Sequence, residues 1–109
     1  MDLKSKKCVP CEGGAKPLER SRADELMREL KGWEPDESRR SLHKRLRFRD
    51  FAQTMAFVNR VAALAEAEGH HPDLGIHYNV LDVNLSTHAI GGLSENDFIL
   101  AAKIDGLTT

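Results

Sequence analysis

The sequence has only two cysteines, Cys8 and Cys11, three apart, and no second pair to complete a four-cysteine zinc site or a disulfide framework. The expectation is that the fold does not depend on them. No window holds the roughly 18 apolar residues that a spanning helix needs. The opening Met1-Asp2-Leu3-Lys4-Ser5-Lys6-Lys7 lacks the apolar stretch of a signal peptide, so the expected location is cytoplasmic, with no membrane partner. Net charge is nearly absent too: 30% of residues are charged, yet the formal charge is -1. That balance argues against a disordered tail and against a strongly nucleic-acid-binding chain. There is no convincing internal repeat or low-complexity run. What is present is 109 residues, 40% of them hydrophobic. This is one domain's worth of chain, expected to bury about two thirds of its unfolded surface without disulfides or metal.

Residues 1–17 carry Pro10, Gly13, Gly14 and Pro17 and no hydrophobic period, so they read as an irregular N-terminal arm. A single domain is expected over 18–109. Ser21-Arg22-Ala23-Asp24 has capping-box spacing, and Ala23, Leu26, Met27 and Leu30 follow on one helical face until Gly32. Leu42, Lys44, Leu46 and Phe48 then alternate with His43, Arg45, Arg47 and Arg49, the second strand of a hairpin opened at Trp33. Asp50 with Gln53 starts the longest helix, whose stripe is Phe51, Met55, Val58, Ala62 and Ala65 and which Gly69 ends. A second strand pair is expected from about Leu74 to Thr87, turning at Tyr78-Asn79. Ser94-Glu95-Asn96-Asp97 repeats the capping-box spacing ahead of a last helix. The order α-β-β-α-β-β-α implies an α+β fold: a four-stranded antiparallel sheet with three helices packed on one face, a two-layer sandwich.

The basic run Arg39, Arg40, Lys44, Arg45, Arg47, Arg49 reads as the wet face of a strand, since no aromatic platform interleaves with it. The chemistry lies elsewhere. His70, His71, His77 and His88 fall within 19 residues, and histidine is the side chain that gives or takes a proton near neutrality. Glu66 stands four before His70 at the end of a helix, where it could orient that ring or simply be solvated. His70 and His71 are adjacent in an extended segment and should splay to opposite sides, which suits two edges of one ligand better than one metal ion. His88 closes a strand beside Ser86 and Thr87, where a scaffold presents functional groups. Asp97 has two readings, a helix cap or a site carboxylate, and Tyr78 is a core or a ligand-binding residue.

The pattern Glu66-x-x-x-His70-His71-Pro72, then Tyr78, His88 and Asp97, resembles that of the pterin-4a-carbinolamine dehydratases. Gly32-Trp33, Phe48-Arg49-Asp50-Phe51, Leu85-Ser86-Thr87-His88 and Gly92-Leu93-Ser94-Glu95 also look like segments of that family. The likeness runs from about Leu18 to Asp105. The resemblance implies dehydration of 4a-hydroxytetrahydropterin to quinonoid dihydropterin, part of tetrahydropterin regeneration. His70, His71 and His88 would be catalytic, and Glu66, Pro72, Tyr78, Ser86, Thr87 and Asp97 would bind substrate or support the site. It implies no metal and no cofactor, a pterin as small-molecule partner, no nucleic acid, and a homo-oligomer, dimer or tetramer. The alternative within the same fold is a non-catalytic dimerising interaction module or transcriptional cofactor. A metal hydrolase using Glu66, His70 and His88 is disfavoured, because no H-E-x-x-H helix is present.

Overall fold

A computed structural model describes residues 3–8 and 17–107. The elements are α1 (Arg20–Met27), β1 (Glu34–Pro35), β2 (Leu42–Arg47), α2 (Phe51–Glu68), β3 (Asp73–His77), β4 (Val80–Leu85) and α3 (Glu95–Leu107), with 3-10 helices at Leu3–Ser5 and His88–Ile90. All pairings are antiparallel and the sheet order is β1-β2-β4-β3. Leu42 stands opposite Leu85, Leu46 and Ile76 opposite Leu81, and Leu74 opposite Val83. Successive side chains alternate faces, so these share one face of the sheet. That face joins Leu26 of α1, Val61 of α2 and Phe98 of α3 in a single core. The other face carries His43, Arg45, Asp73, Asp82 and Asn84. The helices therefore cover one side only, in the two-layer α+β arrangement.

α2 is terminated at both ends by its own sequence. The Asp50 carboxylate accepts from the Gln53 amide at 2.9 Å, and Gln53 in turn accepts from the Arg49 amide at 3.2 Å. At the far end Gly69 takes φ 68°, a left-handed conformation open to glycine, and its N–H donates to the Ala65 carbonyl. α1 departs from expectation: it begins at Arg20 with Glu19 as N-cap and no side-chain cap, so Ser21 lies inside the first turn. Phe48 falls just outside β2, its amide donating to the Asn79 carbonyl at 2.8 Å.

Two corrections concern burial. Lys44 sits on the apolar face of β2, where its ammonium donates to Asp105 at 2.7 Å and lies 5.9 Å from the Trp33 ring centroid. Asp105 also accepts from the Trp33 indole at 2.9 Å and the Lys31 amide at 3.1 Å, so the buried carboxylate is well satisfied. The described part of the N-terminal arm is not peripheral. Leu3 and Cys8 are buried in the core, the Leu3–Ser5 turn packs on α3, and Lys6 pairs with Glu95. The reason lies in α3, which is buried on nearly every side from Asn96 to Ala102. A helix apolar all round needs cover beyond the sheet, and the arm supplies it. Cys11 lies outside the described residues.

Candidate active site

The site forms where α2 ends, β4 ends and α3 begins. Gly69 stops α2 and the following Pro72 disfavours a helical His71, so the two histidines emerge in a segment outside helix and strand. Their side chains diverge, one to Asp97 and the other to Glu66. The His70 side chain is 12% exposed, the His71 side chain 61%.

His70 turns inward, and its Nε2 lies 2.6 Å from Asp97 Oδ1. Asp97 is wholly buried. Its second oxygen accepts from the Thr87 hydroxyl at 2.8 Å and from the Ser94 amide at 2.9 Å. Thr87 Oγ1 is also 2.7 Å from Ser94 Oγ. A hydroxyl has one proton to donate, and Thr87 gives its own to the carboxylate, so the Ser94 hydroxyl donates to Thr87. Donors thus reach both oxygens of Asp97. As its acceptor, Asp97 fixes His70 with the proton on Nε2, leaving Nδ1 as the ring atom free to take one.

His71 is held differently. Its Nε2 is hydrogen-bonded to the Glu66 carboxylate, both side chains largely in solvent. This corrects the expected pairing of Glu66 with His70: although four apart on a helix would favour His70, the chain leaves the helix at Gly69, and His71 is the ring that comes back over the last turn. His88 is exposed and opens the 3-10 helix after β4 rather than ending the strand. Its backbone is placed by Thr87, whose amide donates to the Gly92 carbonyl at 2.9 Å and whose hydroxyl holds Asp97. Ser86 and Pro72 are half-buried at the same strand ends.

Tyr78 is not part of this group. It is 65% exposed at the β3–β4 turn, with φ 56°, and stacks on Phe51 with ring centroids 6.5 Å apart. Phe51 begins α2 and Glu68 ends it, and 18 residues of helix span about 27 Å. Within one chain Tyr78 therefore lies at the opposite end of the molecule from His70. Ser94 was not among the expected site residues, although its capping-box spacing to Asp97 marked the pair. His43 and His77 both face Asp82 on the open sheet face, at 3.1 and 3.8 Å. Among the described residues, no three histidine, cysteine or acidic side chains come together so as to hold a metal ion. A cavity of about 290 Å³ between α1, the β1–β2 loop and Gly91–Leu93 contains none of the histidines.

The fold is thus a small α+β two-layer sandwich that presents a carboxylate-anchored histidine, His70, and two exposed ones, His71 and His88, near helix and strand ends. Comparison with known proteins identifies the family. Residues 16–107 match the family described as pterin 4 alpha carbinolamine dehydratase. A Halorhodospira halophila protein provisionally named pterin-4-alpha-carbinolamine dehydratase is 47% identical over 107 residues, covering 98% of each chain. A Rickettsia bellii protein with the same provisional name is 53% identical over 104 residues, covering 94% of this chain and 91% of its own. Among solved structures, a transcriptional coactivator/pterin dehydratase from Brucella melitensis superposes with a TM-score of 0.81 at 32% identity, covering 86% of this chain and 100% of that one. A pterin dehydratase-like protein described as a RuBisCO assembly factor in the alpha-carboxysome superposes with a TM-score of 0.61 at 29% identity, over 72% of this chain and 92% of that one. The chain belongs to the pterin-4a-carbinolamine dehydratase family.

Proposed function

We propose that the protein dehydrates 4a-hydroxytetrahydropterin to quinonoid dihydropterin and water. The reading rests on one observation above the others: the hydrogen-bonded run Ser94–Thr87–Asp97–His70, with the exposed His71 next to His70 in the chain and the exposed His88 next to Thr87. In the reaction the proton on N5 leaves, the bond from C4a to the hydroxyl oxygen breaks, and the oxygen departs as water once it has gained a proton. The carbon–nitrogen double bond that results balances the equation without oxidation or reduction. A base and an acid that exchange roles near neutral pH meet the demand, and no metal or redox cofactor is needed.

His70, His71 and His88 supply those groups. Asp97 acts through His70, fixing its tautomer and ring orientation; Glu66 does the same for His71. Thr87 and Ser94 are positioning residues that hold Asp97. The proposal includes turnover in tetrahydropterin regeneration, a cytoplasmic setting and a homo-oligomer, the last because among the described residues the outer edge of β3 is open to pairing. The test is the purified chain's ability to accelerate loss of the 4a-hydroxyl, followed by the absorbance change to the quinonoid product. The competing reading is a non-catalytic interaction module, which the RuBisCO assembly factor of similar fold brings into view. It predicts no acceleration.

A further inference from the structure

The cavity between α1, the β1–β2 loop and Gly91–Leu93 takes no part in the histidine chemistry, yet it has the build of a ligand site. Its floor is apolar and buried: Ala23, Leu42, Leu93 and Phe98. Its lining includes Arg20, Arg39 and Arg40 and no acidic residue. Arg20 and Arg40 are exposed and make no ion pair among the described residues. Arg39 reaches from the loop to Asp24 of α1 at 2.6 Å.

The loop is held in shape. The Asp36 carboxylate accepts from the Arg40 amide at 2.8 Å, the Ser41 amide at 3.3 Å and the Ser38 hydroxyl at 2.9 Å. Arg39 itself takes φ 57°, a conformation that a non-glycine residue keeps only where its surroundings enforce it. The volume of about 290 Å³ is at the lower end for small-molecule pockets, which begin near roughly 300 Å³.

We infer that this cavity binds a small organic anion, an apolar or aromatic body carrying one carboxylate or phosphate. The body would displace water from the floor, and the charge would sit among the arginines, whose planar guanidinium groups suit both kinds of anion. The ring alone or the charge alone would satisfy only half of this lining. His70, His71 and His88 are not involved, so the outcome here is independent of the dehydration reading.

The test is an NMR titration of the isotope-labelled chain with phenyl phosphate, set against inorganic phosphate and phenol. Saturable shifts are expected at the Met27 methyl and at the Gly91 and Gly92 amides, with both half-ligands binding more weakly. The surface double variant Arg20→Gln with Arg40→Gln should weaken phenyl phosphate binding about tenfold or more while its spectrum otherwise overlays the parent's. Three results would each overturn the inference: no saturable shift up to about 10 mM, shifts confined to the histidine site, or an unchanged dissociation constant in the double variant.

Discussion

At the level of single residues, spacing singled out His70, His71 and His88 as candidates but not which carboxylate each ring would meet. His70, His71 and His88 stand out because titratable rings are clustered beside helix and strand ends. Which carboxylate meets which ring depends on where α2 stops, and Gly69 moves that point by enough to exchange His71 for His70 beside Glu66. Asp97 was legible as either cap or site residue; its Oδ2 accepts from the Ser94 amide while Oδ1 meets His70, so the cap and the histidine share one carboxylate. Replacing His71 or His88 by Ala is expected to lower the dehydration rate by roughly two to four powers of ten, with an unchanged circular dichroism spectrum. Normal turnover in both variants would remove them from the mechanism. Asp97→Ala should behave otherwise. It strips the acceptor from buried donors, so the chain should lose about 3 kcal/mol of stability as well as activity, a fall in melting temperature on the order of 10 °C or more.

Among the elements, period and punctuation placed the helices and the sheet, because each carries an apolar stripe or alternation between breakers. The Leu3–Cys8 segment carries neither. One leucine and one cysteine make no period, and only the all-round burial of α3 reveals that it must be covered. Lys44 was hidden for a similar reason: its partner Asp105 lies 61 residues away, and no local pattern records the pair.

The arm is tied to α2 and α3 through Glu68, which accepts from the Cys8 amide at 2.9 Å and from Lys103 at 2.7 Å. Burial by itself would raise the Glu68 carboxyl, but Lys103 and the Cys8 amide outweigh it and hold the carboxyl below its usual range. A lowered folded value contributes stability above the unfolded value, about 4.3. That contribution is lost as the pH falls through the folded value. The melting temperature should therefore drop as pH is lowered from about 5 to about 3, and Glu68→Gln should flatten this slope; an equal slope in the variant would contradict it. Leu3→Ala should cost about 2 to 4 kcal/mol in chemical denaturation, against a value near zero for a loose arm.

The Cys8 thiol, buried and beside Glu68, is pushed up to about 12. Its Sγ is 3.6 Å from the Asn96 carbonyl oxygen. Peptide-level mass spectrometry after brief alkylation at pH 8 should find Cys8 unmodified in the native chain and modified once the chain is unfolded. Labelling of the native chain at Cys8 would show that the arm opens readily. The expectation that neither cysteine matters to the fold is thus replaced, for Cys8, by a structural role.

For the molecule as a whole, hairpins alternating with helices leave few ways to cover one apolar face, which is why the α+β sandwich is legible in the sequence. Association is set by the surface, where the β3 edge has no partner strand among the described residues. Light scattering should return a multiple of 12.2 kDa at micromolar protein, whereas a mass near 12.2 kDa would contradict the proposed homo-oligomer. Arrangement alone does not make an enzyme, since one fold can carry both a catalyst and an assembly factor. The measurement that reaches the central claim most directly is a stopped-flow comparison of 4a-hydroxytetrahydropterin dehydration with the parent chain, the His88→Ala variant and buffer. Strong acceleration by the parent and near-buffer rates with His88→Ala are predicted. Equal rates in all three, from protein whose spectrum shows it folded, would contradict the account.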